Sequence, residues 1–488
     1  MRARDARYDG RFFTCVKTTR IYCRPICPAR PPKRENCTFV PTAAAAAQAG
    51  FRPCLRCHPE SSPDLDAWRG TSATVSRALK MIEGGALDEA DIASLADRLE
   101  IGERQLRRLF RHHIGAAPVT VAQTRRVLLA RQLIRQTGLS MNEIALASGF
   151  GSVRRFNETF HRLYRRSPSE LRRNTIATSP SPEISLLLPY RPPYDWAAMI
   201  HFLEARTIDG LEIVSHDTYS RVIELRDATG LITVANAPDQ SALRVAVRFP
   251  RLDLLPAIIA RIRRMFDLSA EPGPIASALS SDPVLEPLVS GRPGLRLPGG
   301  WDGFEIAVRA VLGQQITLRA ATRLASRVVS KLGTPVTDNI DIPGLTYAFP
   351  RPERFNLNTL AGLGIPKARS IAVASIADAL RSGAHLFDPP RDLAEAVASL
   401  RTLPGIGEWT AQYIAMRALG ETDAFLAGDV AVQRKFGLRE RRLTASELLV
   451  RAERWRPWRA YAVLHLWLAD KNVSETSLPK ETYNAFAA

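Results

Sequence analysis

The sequence predicts a multidomain chain, mainly α with α+β parts. Three observations carry this. At 488 residues the chain exceeds what one core serves and suggests two to four domains. All six cysteines precede residue 58, which marks off a small module. Apolar residues recur at three-to-four spacing over 72–175 and again over 391–470, while short β-like runs fall between 211 and 250. No uncharged apolar run of ~18 residues occurs, so no membrane span is expected. Met1–Gly10 carries Arg and Asp and has no apolar centre, so no secretory signal is expected there.

The formal charge of +18 is unevenly spread. Residues 1–180 hold 31 Lys and Arg against 16 Asp and Glu, and the remaining 308 hold 36 against 33. A basic first third predicts a polyanionic partner, nucleic acid ahead of membrane. A solvated basic face is the bland alternative.

Residues 1–70 are rich in Arg, Pro and Cys and have little helical periodicity; a core that small needs a staple. Residues 72–175 are helical in pattern, as at Leu106, Leu109 and Phe110. They contain an internal echo. Leu95-Ala96 matches Ile144-Ala145 at an offset of 49, and Leu106, Phe110 and Pro118 match Phe156, Phe160 and Pro168 at an offset of 50. Two helix-turn-helix copies whose turns differ by one residue account for it, and a plain bundle would not need the repeat. A linker is expected at 176–186 from the composition of Ile176–Ser185. A β-containing lobe follows at 187–285, with runs at Leu231–Val234 and Val245–Val247. A helical lobe occupies 286–488, and 253–268 and 302–332 read as amphipathic helices.

Cys23-x3-Cys27 and Cys54-x2-Cys57 form two close thiolate pairs, a set suited to one tetrahedral Zn2+. Crowding of the cysteines argues against a disulfide framework. Cys15 and Cys37 lie outside the motif and read as core or exposed thiols. A purely structural zinc is the alternative on spacing alone. The flanking segments are Thr18–Arg30 (TTRIYCRPICPAR), Arg34-Glu35-Asn36 and Gly50–Cys57 (GFRPCLRC). Over about residues 10–60 they resemble the metal-binding domain of the Ada adaptive-response proteins. The resemblance implies that Cys23 is both a zinc ligand and the irreversible acceptor of a methyl group from a DNA methylphosphotriester. It also places Arg24, Arg30 and Arg52 at the DNA. The chemistry is reasonable, because zinc keeps sulfur as the nucleophilic thiolate. Methylation removes one negative charge, which should strengthen DNA binding in a salt-dependent way.

The second unit resembles the two-copy helix-turn-helix domain of the AraC type, carried by Gly115-Ala116-Ala117-Pro118 and Arg166-Ser167-Pro168. Candidate readers lie on 103–112 (Glu103, Arg104, Gln105, Arg108) and 152–162 (Ser152, Arg154, Arg155, Asn157). Arg, Gln and Asn can read base edges in the major groove or hold phosphates.

Leu403-Pro404-Gly405-Ile406-Gly407 has the helix-hairpin-helix pattern, whose glycines allow close approach to a phosphate. The segment Leu403–Phe436, Pro192–Trp196, Arg292–Gly299 and Pro457–Ala462 resemble 3-methyladenine DNA glycosylase II, the AlkA type, over roughly 187–475. The resemblance implies Asp429 as the essential carboxylate and Phe202, Trp409, Tyr413 and Trp467 as the base pocket. Asp429 would stabilise the developing sugar cation or orient water, and the rings would attract a cationic base. Phe202 and Trp467, taken singly, also suit the core. Gly405, Gly407 and Gln315 are expected at the DNA. The residue two after Gly407, where bifunctional relatives carry a Schiff-base lysine, is Trp409, so strand cleavage is not expected. No late cysteine cluster suggests an iron–sulfur site. Two departures bear on substrate range. Gln315 follows Leu312-Gly313-Gln314 where family members can carry a bulky wedge, and Val430 follows Asp429 where they can carry an aromatic. No Pro-Cys-His-Arg segment occurs, so the guanine methyltransferase domain that often follows an Ada sensor is missing.

The expectation is a bacterial, cytoplasmic, nucleoid-associated repair protein and transcriptional regulator. It would have one Zn2+, double-stranded DNA as partner in alkylated and promoter forms, and RNA polymerase as the further partner of an activator. Its enzyme activity would be that of a monofunctional glycosylase joined to single-turnover methyl transfer. Two alternatives stand beside it: a methylation-responsive transcription factor whose glycosylase lobe only binds DNA, and a zinc-stapled binding module without methyl acceptance.

Overall fold

The computed structural model describes residues 3–5, 8–62, 73–172, 183–336, 342–436 and 443–469. The chain packs as two compact units, Met1–Tyr190 with Ala237–Ala260 and Arg191–Asn236 with Arg261–Ala488.

The first unit opens with a sheet of β1 (Phe13–Val16), β2 (Ile21–Cys23), β3 (Cys37–Val40) and β4 (Arg52–Pro53), in the order β3-β1-β2-β4. β1 pairs antiparallel with β2 and β3, and β4 runs parallel to β2. The helix α1 (Ala43–Gln48) covers the sheet and is capped by Thr42. Its alanines let it sit close over Phe13, Cys15, Tyr22 and Phe51, a core too small to stand without a staple.

Eight helices follow: α2 (Ala73–Glu83), α3 (Ala86–Glu89), α4 (Ile92–Arg98), α5 (Glu103–His113), α6 (Pro118–Gln136), α7 (Met141–Ala147), α8 (Val153–Tyr164) and α9 (Pro168–Arg172). The echo in sequence is an echo in structure. α4–α5 and α7–α8 are the two helix-turn-helix copies, and their starts differ by 49 and 50 residues. The extra residue lies in the turn, which runs over 99–102 in the first copy and 148–152 in the second. Each turn needs a left-handed residue, Glu100 at φ 58° and Gly149 at φ 84°. Capping is local: Asp91 accepts from Ser94 N, and Ser140 and Glu143 form a capping box.

The chain continues into β5 (Ile184–Pro189), α10 (Trp196–Glu204), β6 (Glu212–Ser215), β7 (Thr218–Leu225), β8 (Ala228–Ala237), β9 (Ala242–Arg248) and α11 (Leu255–Met265). β5 and β9 pair antiparallel within the first unit, and Gln132 Nε2 on α6 donates to Leu187 O at 2.8 Å. Two expected boundaries are thereby corrected. The linker placed at 176–186 lies outside the described residues as far as 182, and from Ile184 the chain is strand, because Ile184, Leu186 and Leu188 alternate into the core. The lobe placed at 187–285 is not one piece, because Ala237–Ala260 belongs to the first unit.

In the second unit β6, β7 and β8 form an antiparallel meander. The helices are α12 (Pro272–Leu279), α13 (Glu286–Gly291), α14 (Gly303–Leu312), α15 (Leu318–Leu332), α16 (Leu357–Gly362), α17 (Lys367–Arg381), α18 (Leu393–Arg401), α19 (Glu408–Ile414), α20 (Val430–Phe436), α21 (Ala445–Ala452) and α22 (Arg459–Ala469). A two-stranded ladder of β10 (Thr334–Pro335) and β11 (Tyr347–Ala348) lies between α15 and α16. The stretch 302–332 is two helices rather than one, broken at Gly313–Thr317. α14 is buried along almost its whole length, so it lies at the centre of the unit. Among the described residues no helix is long and apolar enough to cross a membrane.

α14 is tied to the meander by charge. Arg221 lies 2.7 Å from Glu305 and 3.4 Å from Glu212, and Arg309 lies 2.7 Å from each of the same carboxylates. Arg221, Glu212 and Glu305 are buried, and both guanidiniums hold Glu305 below the usual carboxylate range against the effect of burial. Glu305→Ala strands two arginines and is expected to lower stability by about 3–5 kcal/mol. Urea unfolding followed by tryptophan fluorescence measures this, and an unshifted midpoint would refute it.

Candidate metal centre and active site

Parallel pairing sets the metal centre. Ile21 lies opposite Arg52 and Tyr22 opposite Pro53, so the next residues, Cys23 and Cys54, fall side by side. Cys54 N donates to Tyr22 O at 3.0 Å, and a turn closed by Cys27 N to Arg24 O at 3.1 Å brings in Cys27. The sulfurs of Cys23, Cys27, Cys54 and Cys57 all lie within 4.8 Å of one another, and none is in a disulfide. A zinc–thiolate tetrahedron with bonds of about 2.3 Å spaces its sulfurs by roughly 3.8 Å, so the cluster fits one ion. Backbone N–H groups of Arg24 and Arg56 donate to Cys57 and Cys54 sulfur, each at 3.3 Å, which suits thiolates.

The four sulfurs are not equivalent. Cys54 and Cys57 each receive an N–H bond, which draws on their lone pairs. Cys27 is only 1 % exposed. Cys23, at 6 %, is the one that combines some exposure with no N–H donor among the described residues. Cys15 and Cys37 stay outside the cluster. Cys15 is fully buried, and burial pushes its thiol up to about 11. Cys37 donates to Lys33 O.

Of the arginines expected at the DNA, Arg30 is exposed and Arg52 half-buried. Arg24 is a correction. Its guanidinium is buried, donating twice to Asp9 and once to Cys57 O at 3.2 Å, so it braces the metal loop.

On the helix pair, Leu106, Phe110, Phe156 and Phe160 face the core, which leaves Arg104, Gln105, Arg108, Arg154, Arg155 and Asn157 exposed. Glu103 pairs with Arg107 at 2.8 Å. Ser152 is a cap rather than a reader, its Oγ accepting from Arg155 N at 3.2 Å. The metal loop and these helices share a buried link that no sequence pattern marked. Arg131 on α6 donates to Cys54 O at 3.3 Å and lies 2.9 Å from Glu60 Oε2, an ion pair without the alignment of a hydrogen bond. Arg135 reaches Glu60 Oε1 at 3.2 Å, and the Tyr164 ring of α8 lies against Arg131.

In the second unit the hairpin Leu403–Gly407 turns at Gly405, whose φ is 77° and where a Cβ would stand 2.8 Å from that of Ala372. Gly407 caps α19, and Gln314 Nε2 donates to Gly405 O at 3.0 Å. α19 presents Trp409 and Tyr413, stacked at 5.2 Å and 11°. Asp429, 1 % exposed, lies just before α20. Its Oδ1 accepts from Ala431 N (3.0 Å), Val432 N (3.1 Å) and Trp467 Nε1 (3.3 Å), and its Oδ2 from Trp409 Nε1 (3.2 Å). Burial raises its carboxyl above the ordinary value, and these four donors oppose the rise.

Trp409, Tyr413 and Trp467 line one cavity with Arg206, Trp301 and Arg417. Phe202 does not, which corrects its expected role. It is 4 % exposed, and the guanidiniums of Arg206 and Arg417 lie 3.6 and 4.6 Å from its ring. Sequence reasoning missed both arginines, although each stands four residues after a chosen aromatic, Phe202 or Tyr413. Gln315 is exposed with φ 56°, a strained conformation of order 1 kcal/mol or more that sets it apart at the break between α14 and α15. Val430 is half-buried at the start of α20.

Comparison with known proteins agrees with this partition. Residues 1–60 match the metal binding domain of Ada, 95–174 a helix-turn-helix domain and 185–302 the AlkA N-terminal domain. A Mycobacterium tuberculosis protein named probable bifunctional transcriptional activator/DNA repair enzyme AlkA is 39 % identical over 475 residues, 96 % of this chain and 94 % of its own length. DNA-3-methyladenine glycosylase 2 of Escherichia coli is 34 % identical over 286 residues, 58 % of this chain and 96 % of its own length. The solved 3-methyladenine DNA glycosylase of Archaeoglobus fulgidus covers 60 % of this chain and 99 % of its own with a TM-score of 0.50 at 22 % identity, a likeness of fold.

Glu60→Ala leaves Arg131 buried without its carboxylate and is expected to destabilise the first unit by about 3–5 kcal/mol. Zinc release during urea titration should then occur at lower denaturant, and an unchanged release midpoint would count against the link.

Proposed function

The chain belongs to the family of bifunctional transcriptional activators and DNA repair enzymes that join an Ada-type metal-binding domain to an AlkA-type glycosylase, and from that membership we propose how its residues divide two chemistries. It is an alkylation-damage repair protein and regulator that binds one Zn2+ and DNA.

The observation that carries the enzymatic reading is the buried Asp429 between two indole N–H groups at the wall of an aromatic cavity. With an alkylated purine such as 3-methyladenine flipped against Trp409, the bond from the sugar to the base breaks and its electron pair leaves with the base. Asp429 faces the sugar cation that develops and stabilises it in a site from which water is largely excluded. Water then adds to the sugar, leaving an abasic site. No lysine stands where a lyase would need one, since Trp409 occupies that place, so the glycosylase is monofunctional.

In the first unit, zinc keeps the cluster sulfurs deprotonated. Cys23 attacks the methyl carbon of a phosphotriester; the sulfur–carbon bond forms, and the carbon–oxygen bond breaks with its pair going to the phosphodiester. The thioether has no route back, so each molecule reacts once. Loss of one negative charge then favours phosphate contact by the Ada domain, while Arg30, Arg52 and the exposed faces of α5 and α8 hold the DNA. RNA polymerase is the partner that activation requires, and chromosomal DNA in the bacterial cytoplasm is where this work takes place.

A lobe that only binds DNA would keep Asp429 as the cap of α20 through Ala431 and Val432. It would have no use for the bond to Trp409, which favours the enzyme.

Cys23→Ala should abolish methyl uptake from methylphosphotriester DNA and leave base excision intact, as read by mass spectrometry of the Cys23 peptide and chromatography of released bases. Methyl label on Cys15 or Cys37 would overturn the assignment. Asp429→Asn should slow 3-methyladenine release by about 100–1000-fold while DNA binding persists. Undiminished release would refute the role. Because the folded carboxyl titrates above its ordinary value, wild-type activity should fall on the acid side at a higher pH than an exposed aspartate would give. A flat profile through that range would contradict it. Methylated duplex should show breaks only after alkali, and equal breakage without it would reveal an amine nucleophile.

A further inference from the structure

The cavity beside Asp429 contains four arginines, and they are not alike. Arg221 and Arg309 are neutralised by Glu212 and Glu305. Among the described residues neither Arg206 nor Arg417 meets a carboxylate. Arg417 donates to the carbonyls of Pro298 and Gly299 and, at 2.8 Å, to Tyr413 Oη. Arg206 donates to Phe202 O at 3.1 Å and also bonds the Tyr413 hydroxyl. Each guanidinium carries five N–H donors, so both retain some. Burial lowers Arg206 to about 10, which still leaves it charged at neutral pH.

This changes what the pocket can read. A cationic base gains stacking on Trp409 but meets unneutralised positive charge, and guanidiniums already lie against the faces of Phe202 and Tyr413. An uncharged base that carries an exocyclic oxygen meets donors instead. We infer that Arg206, with Arg417 behind Tyr413, is a specificity-determining residue that favours excision of uncharged, oxygen-bearing purines such as hypoxanthine over cationic ones. This rests on the glycosylase reading above. As the bond between sugar C1′ and base N9 breaks, its electron pair passes to the base, and the negative charge spreads to the exocyclic oxygen, where a guanidinium N–H stabilises it. Water adds its oxygen to C1′ and its proton ends on the base, so free base and abasic site balance the equation. A neutral leaving group needs this help more than a cationic one, which departs uncharged.

The test is single-turnover release by the full chain from duplexes carrying hypoxanthine, purine (the same ring without the exocyclic oxygen) or 7-methylguanine. The wild-type protein should release hypoxanthine about tenfold or more faster than purine, since an unmade bond to a charged donor forfeits at least that much. Equal rates would overturn the inference without any variant. Arg206→Met should lower the ratio of hypoxanthine to 7-methylguanine release by about tenfold or more, and Arg206→Lys should recover part of it. An unchanged ratio in Arg206→Met, whether both rates hold or both fall, would also overturn it. If the wild-type chain releases none of the three bases, the glycosylase reading itself has failed, a result distinct from release without discrimination.

Discussion

Glu212 and Glu305 hold Arg221 and Arg309 in the interior of the second unit, and much of the active site follows from that set. Buried charges are costly to desolvate, and they persist only where every partner is in place. Here the partners come from β6, β7 and α14, so the set fixes how the meander meets the central helix. Once α14 is fixed, its C-terminal end is too. Gln314 can then bond the hairpin carbonyl at Gly405, and Gln315 projects from the break before α15. The same charges form part of the cavity wall, where their neutrality makes the two unpaired arginines stand out.

The metal loop depends on a second buried charge in an analogous way. The Ada-like module has a core of only a few side chains, and four sulfurs brought together by the parallel β2–β4 pairing would be stapled by one ion. Arg131 extends that loop into the long helix between the two helix-turn-helix copies, with Glu60 as counter-charge and Tyr164 against it. Within the first unit, then, the ligand Cys54 and the helices that carry the DNA-reading faces are braced by one side chain.

Features made of neighbours in sequence were legible. The cysteine pairs, the doubled helix motif with its one-residue offset, the glycine hairpin and Asp429 all rest on short spacings. What failed was long-range or turned on competition. Phe202 has the right chemistry for a pocket ring, but arginines from two helices take its faces. Arg24 has the right charge for DNA, but Asp9 claims it. The composition of Ile176–Ser185 reads as linker, yet Ile184 already pairs with Val247 more than sixty residues on. Periodicity separates helices from strands; it does not say which cation finds a carboxylate, and in this molecule that choice divides structural arginines from functional ones.

The same competition assigns the two oxygens of Asp429. A carboxylate offers about four lone-pair sites, two on each oxygen. Oδ1 accepts from two backbone N–H groups and one indole, so it is fully engaged in capping α20 and holding Trp467. Oδ2 accepts only from Trp409, which itself lines the cavity. A site therefore remains on Oδ2, next to the ring against which a base would stack. One oxygen keeps the carboxylate oriented and, through its donors, ionised despite burial. The other faces the reaction. That division reconciles the cap with the catalyst, because the bonds that make Asp429 structural are the ones that preorganise its charge.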